Sequence, residues 1–250
     1  ASGRHDDNDA FGNETTGSVA FGYELDPNHR LRASYGTAFR APTFNDLYFP
    51  GFGNEDLDPE SSATGELGAR GQYQQWFWDV AAFQTDVQDL IATENRGGVF
   101  APYNVNEARI RGVELASGLE TDHWKLKASV TAQDPRNKET DNVLRRRARH
   151  SARLEIDREF NRLSLGASGV FQSERYNDAA NDLKLPGFGL LHLRAGWSFS
   201  DQWSARVTVK NALDKRYTTA HKSPSFGNPA EYDYINAGRA ANLSIRYGAR

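Results

Sequence analysis

The residues in this 250-residue chain that can do chemistry are six histidines, an arginine cluster, one acidic cluster and several aromatic–amide groupings. Asp6-Asp7-Asn8-Asp9 offers oxygen ligands to a hard cation. Ala10 and Phe11 then stand where a calcium loop needs an acid or amide and a glycine, so the stretch reads as a solvated acidic loop. Arg145-Arg146-Arg147 with Arg149 can hold phosphate. A net charge of -3 gives no bulk attraction to nucleic acid, so lipid headgroups or plain water are the expected partners. Hydrolysis needs a histidine oriented by a polar partner, with a serine within hydrogen-bond reach. His150 shares its alternation with Ala148 and Ala152 and has no serine nearby on that face. His192 lies between Leu191 and Leu193 with Arg194 as its neighbour, and His5, His29, His123 and His221 fall in turns or loops. No triad assembles, no two histidines have metal-ligand spacing, and without cysteine there is no thiolate or disulfide. The expectation is a protein with no catalytic residue, no metal and no cofactor.

Binding is the better-supplied chemistry. Tyr48, Phe49, Phe52 and Asn54 form one aromatic–polar group; Phe100, Tyr103 and Asn104 a second. Tyr176, Asn177, Asp178 and Asn181 form a third, and Phe226, Asn228, Tyr232 and Tyr234 a fourth. Apolar rings with amides suit a large ligand that carries both kinds of surface. The rival reading is that the groups pack the loops on one another.

All four groups fall between elements with period-two alternation. Trp124, Leu126, Ala128, Val130 and Ala132 interleave with Lys125, Lys127, Ser129, Thr131 and Gln133. Trp203, Ala205, Val207 and Val209 interleave with Ser204, Arg206, Thr208 and Lys210. About twelve such segments are expected, near 1–5, 14–24, 30–39, 60–70, 76–86, 108–119, 123–133, 147–158, 162–172, 188–199, 202–212 and 238–247. Their connections alternate between tight turns, such as Asp26-Pro27-Asn28-His29, and long loops. That rule belongs to outer-membrane barrels, with short turns on one side and long loops on the other.

Trp76, Trp78, Trp124, Trp197 and Trp203 all lie close to a tight turn, as an interfacial aromatic girdle requires. Mean hydropathy is only -0.71 and no apolar run is long enough for a membrane helix. Membrane strands, with every second residue polar, escape that average. Lysines and arginines on the polar face would cost several kcal/mol each if buried unpaired, so that face must meet water. A two-layer soluble β protein with charged outer faces stays open, because many apolar positions are alanine.

Four blocks carry a resemblance. Leu31 to Tyr48, with Phe39, Arg40, Ala41 and Pro42 at its break, resembles the strand and loop of TonB-dependent outer-membrane receptors. Asn54 to Ser61, with Leu57, Pro59 and Glu60, resembles a second block of that family. Asn104 to Glu114, with Arg109, Gly112 and Glu114, resembles a third. Val209 to Tyr217, with Asn211, Asp214, Lys215 and Tyr217, resembles a fourth, in the family's order. Stretches 144–150 and 175–181 look most like the vitamin B12 receptor group.

The residues give these blocks architectural roles. Pro42 ends strand pairing, Gly36 and Gly112 mark bends or close packing, and Asp214-Lys215 is placed for a rim ion pair.

The resemblance implies an all-β, antiparallel transmembrane barrel, of which about twelve strands are present out of about twenty-two. It implies residence in the Gram-negative outer membrane, contact with its lipid and lipopolysaccharide, and uptake of a cobalamin-like ligand or a siderophore. Ligand contacts are expected at Tyr48, Phe49, Phe52, Asn54, Tyr103, Asn104, Tyr176, Asp178, Asn181, Tyr232 and Tyr234. A plug domain and the segment that engages the TonB complex are not found in the chain, which is expected to be a C-terminal portion. An open sheet would leave edges unpaired in lipid, so either further strands complete the barrel or the twelve close alone. The second option would make a diffusion pore, or an outer-membrane hydrolase.

Overall fold

The computed structural model describes residues 1–8, 12–105, 107–222 and 230–248. Asp9, Ala10, Phe11, Asn106, Phe226 and Asn228, which figure in the sequence reading, lie outside the described residues. The chain folds as β1 (Ser2–Asn8), β2 (Gly12–Asp26), β3 (His29–Arg40), α1 (Phe44–Tyr48), β4 (Glu60–Gln72) and β5 (Trp76–Gln88). There follow β6 (Leu90–Arg96), β7 (Val99–Val105), β8 (Ala108–Glu120), β9 (Trp124–Asn137), β10 (His150–Phe160) and β11 (Leu163–Gln172). The last are β12 (Arg175–Tyr176), β13 (Lys184–Leu185), β14 (Phe188–Ser198), β15 (Trp203–Lys210), β16 (Thr218–Lys222), β17 (Tyr232–Ile235) and β18 (Ala240–Tyr247).

Twelve strands form one antiparallel sheet in the order β1-β2-β3-β4-β5-β8-β9-β10-β11-β14-β15-β18, each beside its neighbour along the chain. These are the twelve alternating segments of the sequence. The remaining strands pair as hairpins within three of the long connections: β6 with β7, β12 with β13, β16 with β17. β1 and β18 are the two edges and do not pair with each other, so the sheet does not close on itself.

Register puts one kind of side chain on each face. Ala33, Leu67, Ala82, Val113 and Ala132 make one rung across five strands. Ile156, Ala167, Leu193 and Val209 make another. Small and large residues alternate along the first rung. Phe21, Leu67, Leu154, Trp197 and Leu243 on this face are exposed, Phe21 by 67% and Trp197 by 56%. A soluble two-layer protein would press these residues together; here nothing among the described residues covers them.

The opposite face is polar and paired. Arg32 bonds Glu66 at 3.0 Å and holds Asp79 through both terminal nitrogens at 3.0 and 2.8 Å. Arg194 pairs with Asp157, and Lys125 reaches Glu120 at 3.2 Å.

Apart from Ala81 in mid-β5, the buried apolar residues gather at the long-loop end: Leu57, Ala101, Val105, Ala108, Ile110, Val143, Leu185 and Leu190. Ala108, Ile110 and Leu190 sit on the polar-face parity, so the loops fold back over the strand ends on that side and shield them. The core of this chain is therefore a roof over one end of the sheet.

Candidate functional site

The first long loop starts where Ala41 and Pro42 stop β3. Thr43 then caps α1: its hydroxyl accepts from Asp46 N–H while the Asp46 carboxylate accepts from Thr43 N–H. Phe44 and Tyr48, one turn apart, meet at 5.1 Å between ring centroids. Phe49 packs edge-on against Phe52 at 6.2 Å, and Phe52 reaches Phe100 of β7 at 6.0 Å, joining the first two aromatic groups. Asn54 donates to Pro102 O at 3.0 Å. Asn104 accepts from Asp58 N–H at 2.9 Å and donates to Asp58 O and Asp89 O at 3.0 and 2.7 Å. The amides at 54 and 104 thus staple the first loop to the β6–β7 hairpin. Tyr103 lies under the Arg96 guanidinium at 4.3 Å.

The hairpin itself turns on Gly97 and Gly98, both at positive φ. Arg40 and Glu60 anchor its root. Their two-point pair lies on the polar face, and Glu60, 8% exposed, also accepts the Ile91 N–H at 2.6 Å.

Stapling continues around the rim. Arg145 donates to Thr93 O at 3.4 Å, tying the third loop to the β6–β7 hairpin. Asn181 exchanges two bonds with the Val143 backbone at 2.8 and 2.9 Å. Asp178 caps the N–H groups of Asp182 and Leu183, and Arg146 N–H donates to Tyr176 O. Buried Asn177 accepts from His221 N–H at 2.9 Å and Arg146 Nε at 3.3 Å. Arg175, 5% exposed, reaches Thr218 O at 2.8 Å, and burial pushes its guanidinium pKa down. Five long loops are therefore stitched in sequence order into one layer. The arginines at 145 and 146, read from sequence as facing solvent or headgroups, are exposed and also take part in this stitching. Arg149 bonds Asp134 at 2.9 Å.

On the last loop, Tyr232 and Tyr234 are half exposed, 5.2 Å apart between centroids, with their hydroxyls 3.4 Å apart. That contact holds the Tyr232 pKa above the usual phenol value. His221 lies opposite Asp233 in the β16–β17 ladder, bonding it at 2.9 Å through Nδ1 and Glu231 at 3.1 Å through Nε2. Both carboxylates raise the imidazole pKa, Asp233 the more.

The fourth block keeps its shape through Asn211 rather than through an ion pair. Asn211, 3% exposed and at φ 48°, clasps the Lys215 backbone at 2.9 and 3.0 Å and gives its own N–H to His192 Nδ1 at 3.1 Å. Asp214 accepts the Arg239 N–H at 2.7 Å. Among the described residues no ion pair joins Asp214 to Lys215, which corrects the expectation of one: the tight turn aims the Asp214 carboxylate at the returning backbone. Tyr217 packs on Phe188 at 4.5 Å. Arg109 pairs with Asp86 at 2.7 Å, and Glu114 stands exposed on the polar face. Phe39 sits opposite Ser61, and Pro59 leads into Glu60. Asp6, from the acidic stretch, is held by Arg4 at 2.6 Å.

Of the expected contact residues, Asn54, Asn104, Asp178 and Asn181 are occupied within the roof, while Tyr48, Phe49, Tyr232 and Tyr234 present exposed rings. Sequence reasoning passed over the Glu60–Ile91 tie, buried Arg175 and the His221 carboxylate clasp. Gly97-Gly98 between alternating runs was a readable hairpin signal, and Thr43-x-x-Asp46 a readable cap.

Comparison with known proteins gives this architecture relatives. The family described as TonB dependent receptor-like, beta-barrel, matches residues 1–212. The vitamin B12 transporter BtuB of Photobacterium profundum is 35% identical over 219 residues, 86% of this chain and 36% of that protein. BtuB of Vibrio vulnificus is 33% identical over 249 residues, 99% of this chain and 39% of that protein. The crystal structure of the ferric yersiniabactin uptake receptor FyuA from Yersinia pestis superposes with a TM-score of 0.80 at 19% identity, over 94% of this chain and 37% of that one. The chain thus spans well under half the length of each.

Proposed function

The chain belongs to the TonB-dependent receptor β-barrel family, and from that premise we propose that it is the C-terminal portion of an outer-membrane uptake receptor. Its place is the Gram-negative outer membrane, with the apolar face toward lipid and lipopolysaccharide and the polar face toward a lumen. Further strands of the same protein cover the edges at β1 and β18, since unpaired backbone is not tolerated in hydrocarbon. An N-terminal plug fills the lumen and couples to the TonB complex, which supplies the energy. The roof binds a scarce large ligand: cobalamin-like, as the BtuB relatives favour, or a siderophore. Binding and gated transport need no bond made or broken, no cofactor and no nucleic acid.

One observation carries this reading. The roof fixes five loops by internal hydrogen bonds while leaving the rings of Tyr48, Phe49, Tyr232 and Tyr234 exposed, which is a preorganised surface for a ligand with apolar and amide faces. The test is calorimetric titration of the full-length protein with cyanocobalamin and, separately, with ferric siderophores. Saturable binding of one, weakened at least about tenfold by Tyr232→Ala with Tyr234→Ala, supports the reading. Ion conductance with no saturable ligand would instead point to a diffusion pore, and ester or phospholipid turnover to a hydrolase.

A further inference from the structure

The apolar face carries an exception near the tight turns. Arg158 of β10 lies opposite Trp124 on β9 and Leu165 on β11, and the rung continues through Ala195, Val207 and Leu243. Every other member of that rung is apolar. The guanidinium sits 4.6 Å from the Trp124 ring centroid and 4.5 Å from that of Phe160. Its Nε is buried without a hydrogen-bond partner. Among the described residues no carboxylate pairs with it, whereas Arg32, Arg109 and Arg194 on other strands each hold one. Beside it runs an open groove of about 520 Å³, lined by Trp124, Ile156, Phe160, Leu165, Leu193 and Val207.

A cation at a greasy surface is costly unless an anion meets it. Two aromatic rings flank this one and hold it in place, leaving the terminal guanidinium nitrogens to donate a two-point contact to a phosphate. The groove beside it is wide and apolar, as an acyl chain needs. The tight-turn side of an outer membrane is the phospholipid leaflet. We propose that Arg158, Trp124 and Phe160 bind the phosphodiester of an anionic phospholipid in that leaflet, with one acyl chain lying along Ile156, Leu165, Leu193 and Val207. This rests on the reading above that the apolar face meets lipid.

The test uses the full-length protein in detergent, with bound phosphatidylglycerol counted by native mass spectrometry at matched activation. Wild type should retain one lipid that Arg158→Gln binds about tenfold more weakly, the worth of a charge-assisted contact. Arg158→Lys, which keeps the charge and loses the planar fork, should fall between. Diacylglycerol of the same chain length should bind both forms alike, and millimolar inorganic phosphate should not displace the phospholipid. Displacement by phosphate, or equal retention by all three forms, overturns the site. A bimane label at Leu115→Cys, in a segment without native cysteine, separates the two levels. Quenching of the label by doxyl-labelled acyl chains with no Arg158 effect sinks the site alone. No quenching sinks the lipid-facing reading and the site with it.

Discussion

Arg40 and Glu60 meet across the β3–β4 ladder in a two-point pair, Nε to Oε2 and Nη2 to Oε1, each at 2.6 Å. Because Oε1 also accepts the Ile91 N–H, one buried carboxylate fixes two sheet strands and the root of the β6–β7 hairpin. Glu60→Gln puts an N–H donor where at least one of these donors needs an acceptor. The expected cost is about 1–3 kcal/mol. It should register as faster amide exchange at Ile91 and earlier tryptic cleavage after Arg96. Unchanged exchange at Ile91 would show that the carboxylate does not hold the hairpin.

Gly112 makes the third block's glycine intelligible. A Cβ there would lie 2.6 Å from Ala132 O and 2.8 Å from Phe83 Cζ, so the position has room for hydrogen only. Gly112→Val should destabilise the folded barrel by about 1–3 kcal/mol, read from urea unfolding in detergent micelles. Adding Phe83→Ala should return only part of that, because the carbonyl clash remains. Full recovery in the double variant would place the whole strain on the ring.

The β16–β17 hairpin should be more firmly closed at acid pH. Asp233 and Glu231 raise the His221 pKa above its unfolded value of 6.5. The clasp's contribution is therefore complete below that value and lost as pH climbs through the raised folded pKa. Protection of the described amides in 218–222 and 232–235, normalised to intrinsic exchange, should drop between mildly acidic and alkaline pH. His221→Gln should flatten that dependence, and a wild-type profile already flat would refute the clasp.

The sheet was readable because a single physical requirement repeats along it. Trp124 to Gln133 alternates for ten residues, since each strand carries one apolar and one charged face, and the tryptophans mark where its tight turns begin. The roof has no such repeat. β12 and β13 are two residues each, too short for any period to declare itself. Asn54, Asn104 and Asn181 read as ligand-facing amides because the sequence does not reveal which carbonyls will come near. Their partners lie 48, 46 or 15, and 38 positions away. Asp214 escaped for the same reason: its acceptor role depends on Arg239, 25 residues on.

That long-range stitching makes Asn177 the residue through which roof order should reach ligand binding. It is 7% exposed, and its single carbonyl oxygen serves both His221 N–H at 2.9 Å and Arg146 Nε at 3.3 Å, joining three loops at one atom. Asn177→Ala strands both donors, at about 1–3 kcal/mol for the buried one, and Tyr232 and Tyr234 lose the fixed hairpin that presents them. A surface that must order itself on binding pays that entropy at the moment of contact. The ligand that titrates the full-length protein should therefore leave Asn177→Ala several-fold faster, with association changed less. Asn177→Asp, which keeps the acceptor, should restore most of the slow dissociation. If surface plasmon resonance finds the alanine variant releasing ligand at the wild-type rate while proteolysis shows its loops opened, roof order and ligand retention are separate properties.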